Sequence, residues 1–477
     1  MNQAQTAIVG ALILAISPPA VNAAETRDDA TVDAAQAAGP ATDQDDTPPV
    51  TPDPNRGYGG RAATGHLTRK LEKSRRSALK AKPKTGEALQ DWLNGPSILG
   101  EWGGYRQQLD DLGITFGGFS GNAFFANATG GARRSATAAS FTQAWTDLDF
   151  EKLSGWTGFL IHTEMAITGG NNLSGHNRVG NLFNVATEYT PNGVYLGQMY
   201  AQQAFFGDAL SLQVGRLTTT NNFATLPVFT DYVSVAGNGT PTALPLGSTY
   251  FTYPPAVEWG AVATAQATSR ITVAGGVYNT NNSSAAPQAS QNGTDFGLTF
   301  DNGVMAVSQI TYTDPATDPI CLPGIFAFGS YYSSADYPRL RNGRDKSGNY
   351  GFYWMAQQMV YQQGGPGSPQ GLTPWFAVAW NPEESADFLP LYVSGGAVYQ
   401  GLIPGRNTDT TALAVYSGTF SKFAQNTTTE TVLEANYTLW ATPWLGITPD
   451  FQYVFNPMGG ASKNDAAVFG GQILIVF

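Results

Sequence analysis

The polar side chains that could recognise a small molecule lie in alternating segments of this sequence. His162 and Glu164 share one side of a period-two segment, and Phe159 and Ile161 share the other. Glu258 is opposed to apolar neighbours in the same way. Imidazole and carboxylate groups form charge-assisted hydrogen bonds with hydroxyl groups. The pattern therefore indicates noncovalent recognition by side chains on the polar faces of strands.

The sequence gives little support for catalysis or metal binding. A single cysteine, Cys321, excludes a disulfide framework and a cysteine-based zinc site, and the three histidines are too far apart in sequence to indicate a compact cluster. Adjacent acids such as Glu383 and Glu384 point in different directions, whereas a glycosidase pair is defined by its separation in space. No Gly-x-Ser-x-Gly nucleophile motif occurs. We predict no enzyme activity, cofactor or metal site.

The composition is unusual for a soluble domain. Only 13% of the 477 residues are charged, against about 25% in typical soluble domains. The longest apolar run, residues 7–16, is shorter than the roughly 20 residues of a membrane-spanning helix. Because Pro18 and Pro19 and a small-residue box at 21–23 follow this run, we predict a signal peptide over residues 1–24. With one unpaired cysteine, the mature chain is expected in a bacterial envelope.

Three blocks of unlike charge follow. Residues 25–65 carry a net charge of -5 and little apolar content, which predicts a disordered spacer. Residues 66–91 form a basic periplasmic segment, whose part 66–84 has net charge +7 and could be a short helix, an anchor to an anionic surface, or a solvated run. Residues 85–477 carry a net charge of -13, which disfavours nucleic acid binding.

From residue 92 onward the pattern is that of short strands, apart from a predicted helix over 101–111. In residues 431–439 the odd positions are mostly apolar, whereas Glu434 and Asn436 share the even face. Turn signals at 153–155 and at 301–303, the second predicting a hairpin between 296–298 and 304–306, alternate with predicted long loops at 279–292 and 315–348.

Alternating lipid-facing and lumen-facing residues, short and long connections, and aromatic strand ends are typical of a transmembrane antiparallel β-barrel. A soluble β-sandwich also shows alternation. The uninterrupted strand-rich block and the strand-length segment 467–477, which ends on Phe477, favour the barrel. We predict an all-β fold over residues 92–477 with 16 strands, or 18 as the second choice, after an N-terminal disordered or short helical periplasmic extension.

Several motifs in this block resemble one family. Gly100-Glu-Trp-Gly-Gly-Tyr-Arg106 is similar to the opening motif of the bacterial carbohydrate-selective porins, the OprB-like family. Further similarities lie in residues 148–156, 202–203, 210–217, 223–224, 440–445, 449–453 and the terminal Phe477. The resemblance covers roughly residues 92–477. The segment 25–84 departs from the family's core pattern.

The resemblance implies an outer-membrane barrel through which monosaccharides of the glucose type diffuse passively into the periplasm. It implies carbohydrate solutes and outer-membrane lipid as partners, and an assembly machinery that recognises Phe477. A secreted or surface β-protein that binds or cleaves polysaccharide is the alternative function.

A sugar pore needs charged or amide groups for hydroxyls and aromatic rings for stacking. Arg216 lies on the apolar face by simple alternation, so either the strand ends or bulges at Gly215 or the side chain snorkels at the rim. We expect the bulge, which turns Arg216 inward, because the resembling motif leads into a loop that enters the barrel. The candidate pore-lining or substrate-binding residues are Arg216, Glu164, His162, Glu258, Asp149, Asn221, Asn222 and Phe223.

Overall fold

The computed structural model describes residues 88–248, 250–280, 291–314, 321–365, 367–424, 428–460 and 463–477. The predicted signal peptide, the acidic spacer and residues 66–87 of the basic segment lie outside the described residues. Among the described residues, no helix is long and apolar enough to cross a membrane.

Strands make up most of the described chain. They are β1 (Ile114–Gly131), β2 (Ser135–Asp149), β3 (Phe159–Gly170), β4 (Gly193–Phe205), β5 (Leu210–Leu217), β6 (Glu258–Gln266), β7 (Ile271–Asn279), β8 (Val304–Asp314), β9 (Gly324–Pro338), β10 (Asp345–Gln358), β11 (Tyr361–Gln362), β12 (Gly371–Trp380), β13 (Leu391–Gln400), β14 (Thr410–Thr419), β15 (Thr429–Thr442), β16 (Leu445–Phe455) and β17 (Asn464–Val476).

Apart from the two-residue β11, every strand pairs antiparallel with the next full strand in sequence, and β1 pairs with β17, so the sheet closes on itself. The two-residue β11 continues β10, because both pair with β12. The barrel therefore has 16 strands, which confirms the predicted fold class and count. Closure leaves no unpaired sheet edge, as a bilayer requires.

The helices are short and lie before β1 or in the connections between strands. They are α1 (Ala88–Leu93), α2 (Tyr105–Leu112), α3 (Phe150–Ser154) and α4 (Ala243–Gly247), with 3-10 turns at Trp102–Gly104, Thr219–Asn221, Pro227–Asp231, Gln291–Gly293 and Pro457–Gly459. The helix predicted over 101–111 is thus a 3-10 turn followed by α2. It ends at Gly113, whose φ of 97° favours glycine.

Burial follows the alternation of the strands. On β17 the side chains of Val468 and Gln472 are buried inside, whereas Phe469 and Ile473 are exposed on the outer face. The same rule separates Glu434 from its outward neighbours on β15. Large apolar side chains thus remain exposed around the outside of the barrel, as a lipid-facing surface requires.

The connections differ in length at the two ends of the barrel. At the end that carries the C-terminus they are mostly short, for example 206–209, 267–270 and 443–444. At the opposite end the connections 171–192, 218–257 and 280–303 are long. This asymmetry is that of short periplasmic turns and long extracellular loops.

Two local predictions are wrong. The predicted loop 315–348 contains β9 and the start of β10, because period-two alternation continues through its tyrosines and serines. The turn at 301–303 leads into β8, but residues 294–300 before it form no strand, so there is no hairpin there. A turn signal specifies only its own residues, and the pairing depends on the chain before it.

Candidate functional site

The connection between β5 and β6, residues 218–257, folds into the barrel; we call it the constriction loop. Nearly all of its described residues are buried. Its backbone N–H groups donate to inward-facing amide side chains: Thr218 N to Gln198 Oε1 at 3.0 Å, Ala224 N to Gln309 Oε1 at 2.9 Å and Val228 N to Gln357 Oε1 at 3.2 Å.

Its backbone carbonyls are held in the same way. Asn381 Nδ2 donates to Ala243 O and Asn349 Nδ2 to Gly247 O, both at 2.7 Å. In a surface loop such carbonyls would accept hydrogen bonds from water, whereas here they accept them from side-chain amides of the barrel. The contacts reach β4, β8 and β10, so the loop narrows the lumen between distant parts of the wall.

The Glu434 carboxylate on β15 also anchors the constriction loop. Val233 N and Ser234 N of the constriction loop donate to Glu434 Oε1 at 2.6 and 3.3 Å, and the Tyr416 hydroxyl donates to Glu434 Oε2 at 2.8 Å. Trp375 Nε1 donates to the Tyr232 hydroxyl at 2.7 Å, and burial raises the pKa of Tyr232 above its usual range. The loop is therefore anchored by polar contacts inside an aromatic core.

The connection between β3 and β4, residues 171–192, is a second inward segment, which we call the companion loop. Leu182 N donates to Glu430 Oε2 at 2.8 Å and Phe183 N to Glu430 Oε1 at 2.8 Å. Gln452 Nε2 donates to Val185 O at 2.8 Å. The companion loop also surrounds an open cleft of about 420 Å³ lined by Asn171, Asn172, Gly175, His176, Asn177, Arg178 and Tyr189.

His162 and Glu164 face inward, as predicted, and form one network with Asp147. His162 Nδ1 lies 2.6 Å from Asp147 Oδ1, its direct cross-strand partner, and Nε2 lies 2.9 Å from Glu164 Oε1. Gln143 and Gln198 donate to Glu164 Oε2 and Oε1 at 2.7 and 2.9 Å. Because Gln198 also accepts from Thr218 N, the network supports the first residue of the constriction loop.

Burial limits what this network can touch. His162 is 0% exposed and Glu164 is 4% exposed, whereas the Asp147 side chain is 15% exposed. Asp147 is thus the member of the network nearest to open space, and the other two position it and the loop.

The remaining candidates are separated. Glu258 is buried at the first position of β6, opposite Leu217. Asp149 caps α3 at the C-terminal end of the barrel, where it accepts from Glu151 N at 3.0 Å. Asn221, which is 6% exposed, lies in the first turn of the constriction loop, and Asn222 beside it is half-buried.

Phe223 is fully buried in the same segment, and its ring packs edge-on against Tyr278 at 6.4 Å between centroids. Its side chain therefore joins the loop to the wall rather than lining the open passage. The alternating burial of residues 222–231 leaves Asn222, Thr225, Pro227, Thr230 and Asp231 partly exposed.

The bulge predicted at Gly215 is absent. β5 pairs in continuous register with β4 as far as Arg216 and with β6 as far as Leu217. Arg216 therefore keeps the face of Val214 and of its partner Trp259. Its guanidinium donates to Gly293 O and lies 4.8 Å from the centre of the Phe296 ring. The structure uses Arg216 to hold the connection between β7 and β8, and does not bring it to the His162 network.

Below the constriction loop, toward the C-terminal end, the inward face is partly open and largely uncharged; we call this region the vestibule. Its half-buried, inward-facing polar residues are Gln202, Ser211, Thr264, Thr272, Thr311, Thr313, Thr373 and Thr438. Each offers hydroxyl or amide groups for hydrogen bonds without a charge.

One carboxyl at the opposite mouth has a strongly shifted pKa. Asp387, in the connection 381–390, accepts from Asn349 Nδ2 at 2.6 Å and is fully buried. Burial raises its pKa to about 8. The protonated form therefore predominates at neutral pH in the folded protein.

Sequence reasoning missed the glutamines and asparagines that hold the constriction loop. Their only sequence signal is a polar residue at an inward position of an alternating strand, as at Gln198, Gln309 and Gln357. In the part of the chain that the structure describes, no three His, Cys, Asp or Glu side chains are grouped so that they could hold a metal ion.

A closed 16-stranded barrel with an apolar outer surface, a polar lumen and loops folded inward defines an outer-membrane porin. The family model of the carbohydrate-selective porins, OprB family, matches residues 133–477. The chain belongs to this family. It is a sugar channel of the bacterial outer membrane.

Individual relatives agree with this assignment. Porin B of Pseudomonas aeruginosa is 25% identical over 431 residues, covering 80% of this chain and 92% of that protein. The high-pH structure of Pseudomonas putida OprB superposes with a TM-score of 0.73 at 22% identity, covering 80% of this chain and 98% of the other. The low-pH structure of the same protein gives a TM-score of 0.55 at 18% identity.

Proposed function

We propose that the solutes of this channel are neutral monosaccharides of the glucose type. The observation that carries the proposal is the vestibule, in which hydroxyl and amide side chains replace charges along the half-open inner wall. A neutral sugar presents only hydroxyl donors and acceptors and can exchange its hydration for these groups one at a time.

The energetics favour transit over retention. A neutral hydrogen bond that replaces one to water contributes only about 0.5–1.5 kcal/mol. A sugar is therefore held weakly at each position and moves on readily. Charged partners would make stronger hydrogen bonds, of about 1.5–3 kcal/mol, and would slow release.

The constriction loop sets the size limit in this proposal. Asn222, Thr230 and Asp231 present partly exposed polar groups at its edge, and Asp147 lies on the inward face of β2. Because the loop is fixed to the wall by amides on several strands, its edge is preorganised.

Liposome swelling tests the proposal. Vesicles that contain the purified porin should admit a neutral hexose faster than a disaccharide and faster than gluconate, an anion of similar size. Thr272→Glu places a charge in the vestibule and should slow gluconate further while leaving hexose entry within about twofold, because a neutral solute has no net charge to repel. Ala267→Glu, in the exposed connection between β6 and β7, is the matched control. Equal entry of hexose and gluconate in the wild type would contradict the proposal.

We further propose that the assembly machinery of the outer membrane recognises the C-terminal strand through Phe477. In support, Phe477 lies at the open end of β17, where its N–H donates to Gly118 O at 3.0 Å and its ring packs on Gly118 of β1. The aromatic terminus thus sits at the seam where the barrel closes.

A further inference from the structure

Four inward side chains on β15 and β16 form a buried group, which we call the oxygen cluster: Glu434, Asn436, Asp450 and Gln452. Glu434 is the cross-strand partner of Gln452, and Asn436 is the partner of Asp450. Their exposed fractions are 0%, 6%, 6% and 0%. The Asp450 carboxyl contacts the side chains of the other three. Two carboxyl groups are thus held together away from water.

The amide donors of the cluster are already used. Gln452 Nε2 donates to Val185 O and to Asp450 Oδ1, each at 2.8 Å. Asn436 Nδ2 donates to Asp231 O at 3.0 Å and to Glu434 Oε1 at 3.3 Å. Within the described chain, no donor reaches Asp450 Oδ2, Asn436 Oδ1 or Gln452 Oε1. What remains is three buried oxygen acceptors beside a second carboxylate.

A shared proton does not resolve this arrangement. One proton neutralises one carboxyl group and supplies one donor, whereas three oxygens lack a partner, and each buried orphan is costly. A cation satisfies several oxygens at once and also neutralises both carboxylates. Two carboxylates and two amide oxygens are hard ligands without sulfur or imidazole.

The ligand set favours calcium. Ca²⁺ accepts carboxylate and amide oxygens in irregular geometry, whereas Mg²⁺ demands a near-ideal octahedron and usually retains several waters. We propose that the oxygen cluster binds one Ca²⁺ ion, with Asp450, Asn436 and Gln452 as ligands through their unpartnered oxygens and Glu434 as the second carboxylate whose charge the ion neutralises.

The bound ion would connect the two inward loops. Glu434 also accepts from Val233 N of the constriction loop, and Gln452 also donates to Val185 O of the companion loop. By fixing both side chains, calcium stabilises the loops against the wall of β15 and β16. The channel would then be most rigid in the calcium concentrations of the cell exterior.

Metal analysis and thermal unfolding of the purified full chain test the site. After equilibration in about 1 mM Ca²⁺, the range in which extracellular calcium sites bind, the wild type should retain about one calcium per chain. Its Tm should exceed that in EDTA by several degrees, because a ligand of the folded state stabilises it. Asp450→Asn, which removes one charge and keeps the shape, should abolish both effects.

Glu430→Gln is the matched control. Glu430 is another buried, inward carboxylate of β15, but backbone N–H groups of the companion loop occupy its oxygens. This variant should keep the calcium-dependent Tm shift. If Asp450→Asn does not fold, terbium luminescence of the wild type supplies the test, because Tyr416 contacts Glu434 and can sensitise a bound lanthanide that calcium displaces.

Three results would overturn the proposal: no retained calcium, no calcium-dependent Tm or terbium signal in the wild type, or full calcium binding in Asp450→Asn. A wild-type Tm that rises on acidification and ignores calcium would identify a shared proton instead of a metal ion.

Discussion

Replacing Glu430 should release the companion loop from the barrel wall. Its carboxylate accepts from three backbone groups: Leu182 N at 2.8 Å, Phe183 N at 2.8 Å and Met458 N at 2.6 Å. Glu430→Leu leaves these three N–H groups buried without an acceptor. Each orphan costs about 1–3 kcal/mol, so the two on the companion loop, Leu182 N and Phe183 N, weaken its attachment by about 2–6 kcal/mol.

Part of this loss is offset, because the free-energy cost of burying the Glu430 carboxylate is absent when leucine takes its place. We therefore expect a net weakening near the low end, about 3 kcal/mol, which raises the population of the released loop about 100-fold. Hydrogen exchange of residues 181–185 should accelerate by about this factor, and single-channel recordings should show more frequent fluctuations. Glu430→Gln retains one oxygen acceptor and should show a smaller change.

Exchange rates in Glu430→Leu that equal those of the wild type would refute the reasoning. They would mean that apolar packing, rather than the carboxylate, holds the loop. Glu151→Gln, a change on the exposed surface of α3, controls for the loss of one negative charge.

Three further predictions follow from single side chains. Glu164→Ala should weaken the block of ion current by a neutral hexose in planar bilayers, because the support of the constriction loop is lost; an unchanged block would contradict this. Burial raises the pKa of Asp387 from 3.8 to about 8, so stability falls as the pH rises from about 4 to 8, and Asp387→Asn should flatten this fall of Tm. Deletion of Phe477 should lower the yield of heat-modifiable barrel, and Gly118→Ala should do so in part, because its added Cβ would lie 2.3 Å from the Phe477 ring; Gly275→Ala, which meets nothing within 4 Å, is the control.

The wall of the barrel was predictable because its rule is local. Alternation over residues 431–439 assigns Glu434 and Asn436 to the lumen, and burial agrees. The same rule placed His162 and Glu164 inside. It fails for residues 324–338 because glycine, serine and tyrosine are also typical of loops, although here they alternate between buried and exposed positions.

The site was not predictable to the same depth, since it depends on register and on the path of a long loop. Asp147 contacts His162 only because the register of β2 and β3 places the two residues opposite each other. Gln309 and Gln357 accept hydrogen bonds from backbone N–H groups of the constriction loop that lie 85 and 129 residues away in the chain. Arg216 was assigned to the pore through an expected bulge, and continuous pairing through Gly215 keeps it on the other face.

Ion selectivity should be weaker than the net charge of -13 over residues 85–477 suggests. The inward carboxylates of Glu430, Glu434 and Glu164 are buried and accept hydrogen bonds from loop backbone or from glutamine. These donors partly compensate the electric field that the carboxylates exert on a permeating ion. The vestibule adds no charge. Coulomb interactions with charges on the outer rim are further screened beyond about 8 Å at physiological salt. We therefore expect a modest cation preference in reversal-potential measurements, which Thr272→Glu should increase clearly because its new carboxylate lies in the vestibule. A strong cation preference in the wild type that Thr272→Glu leaves unchanged would show that the buried carboxylates do act on permeating ions.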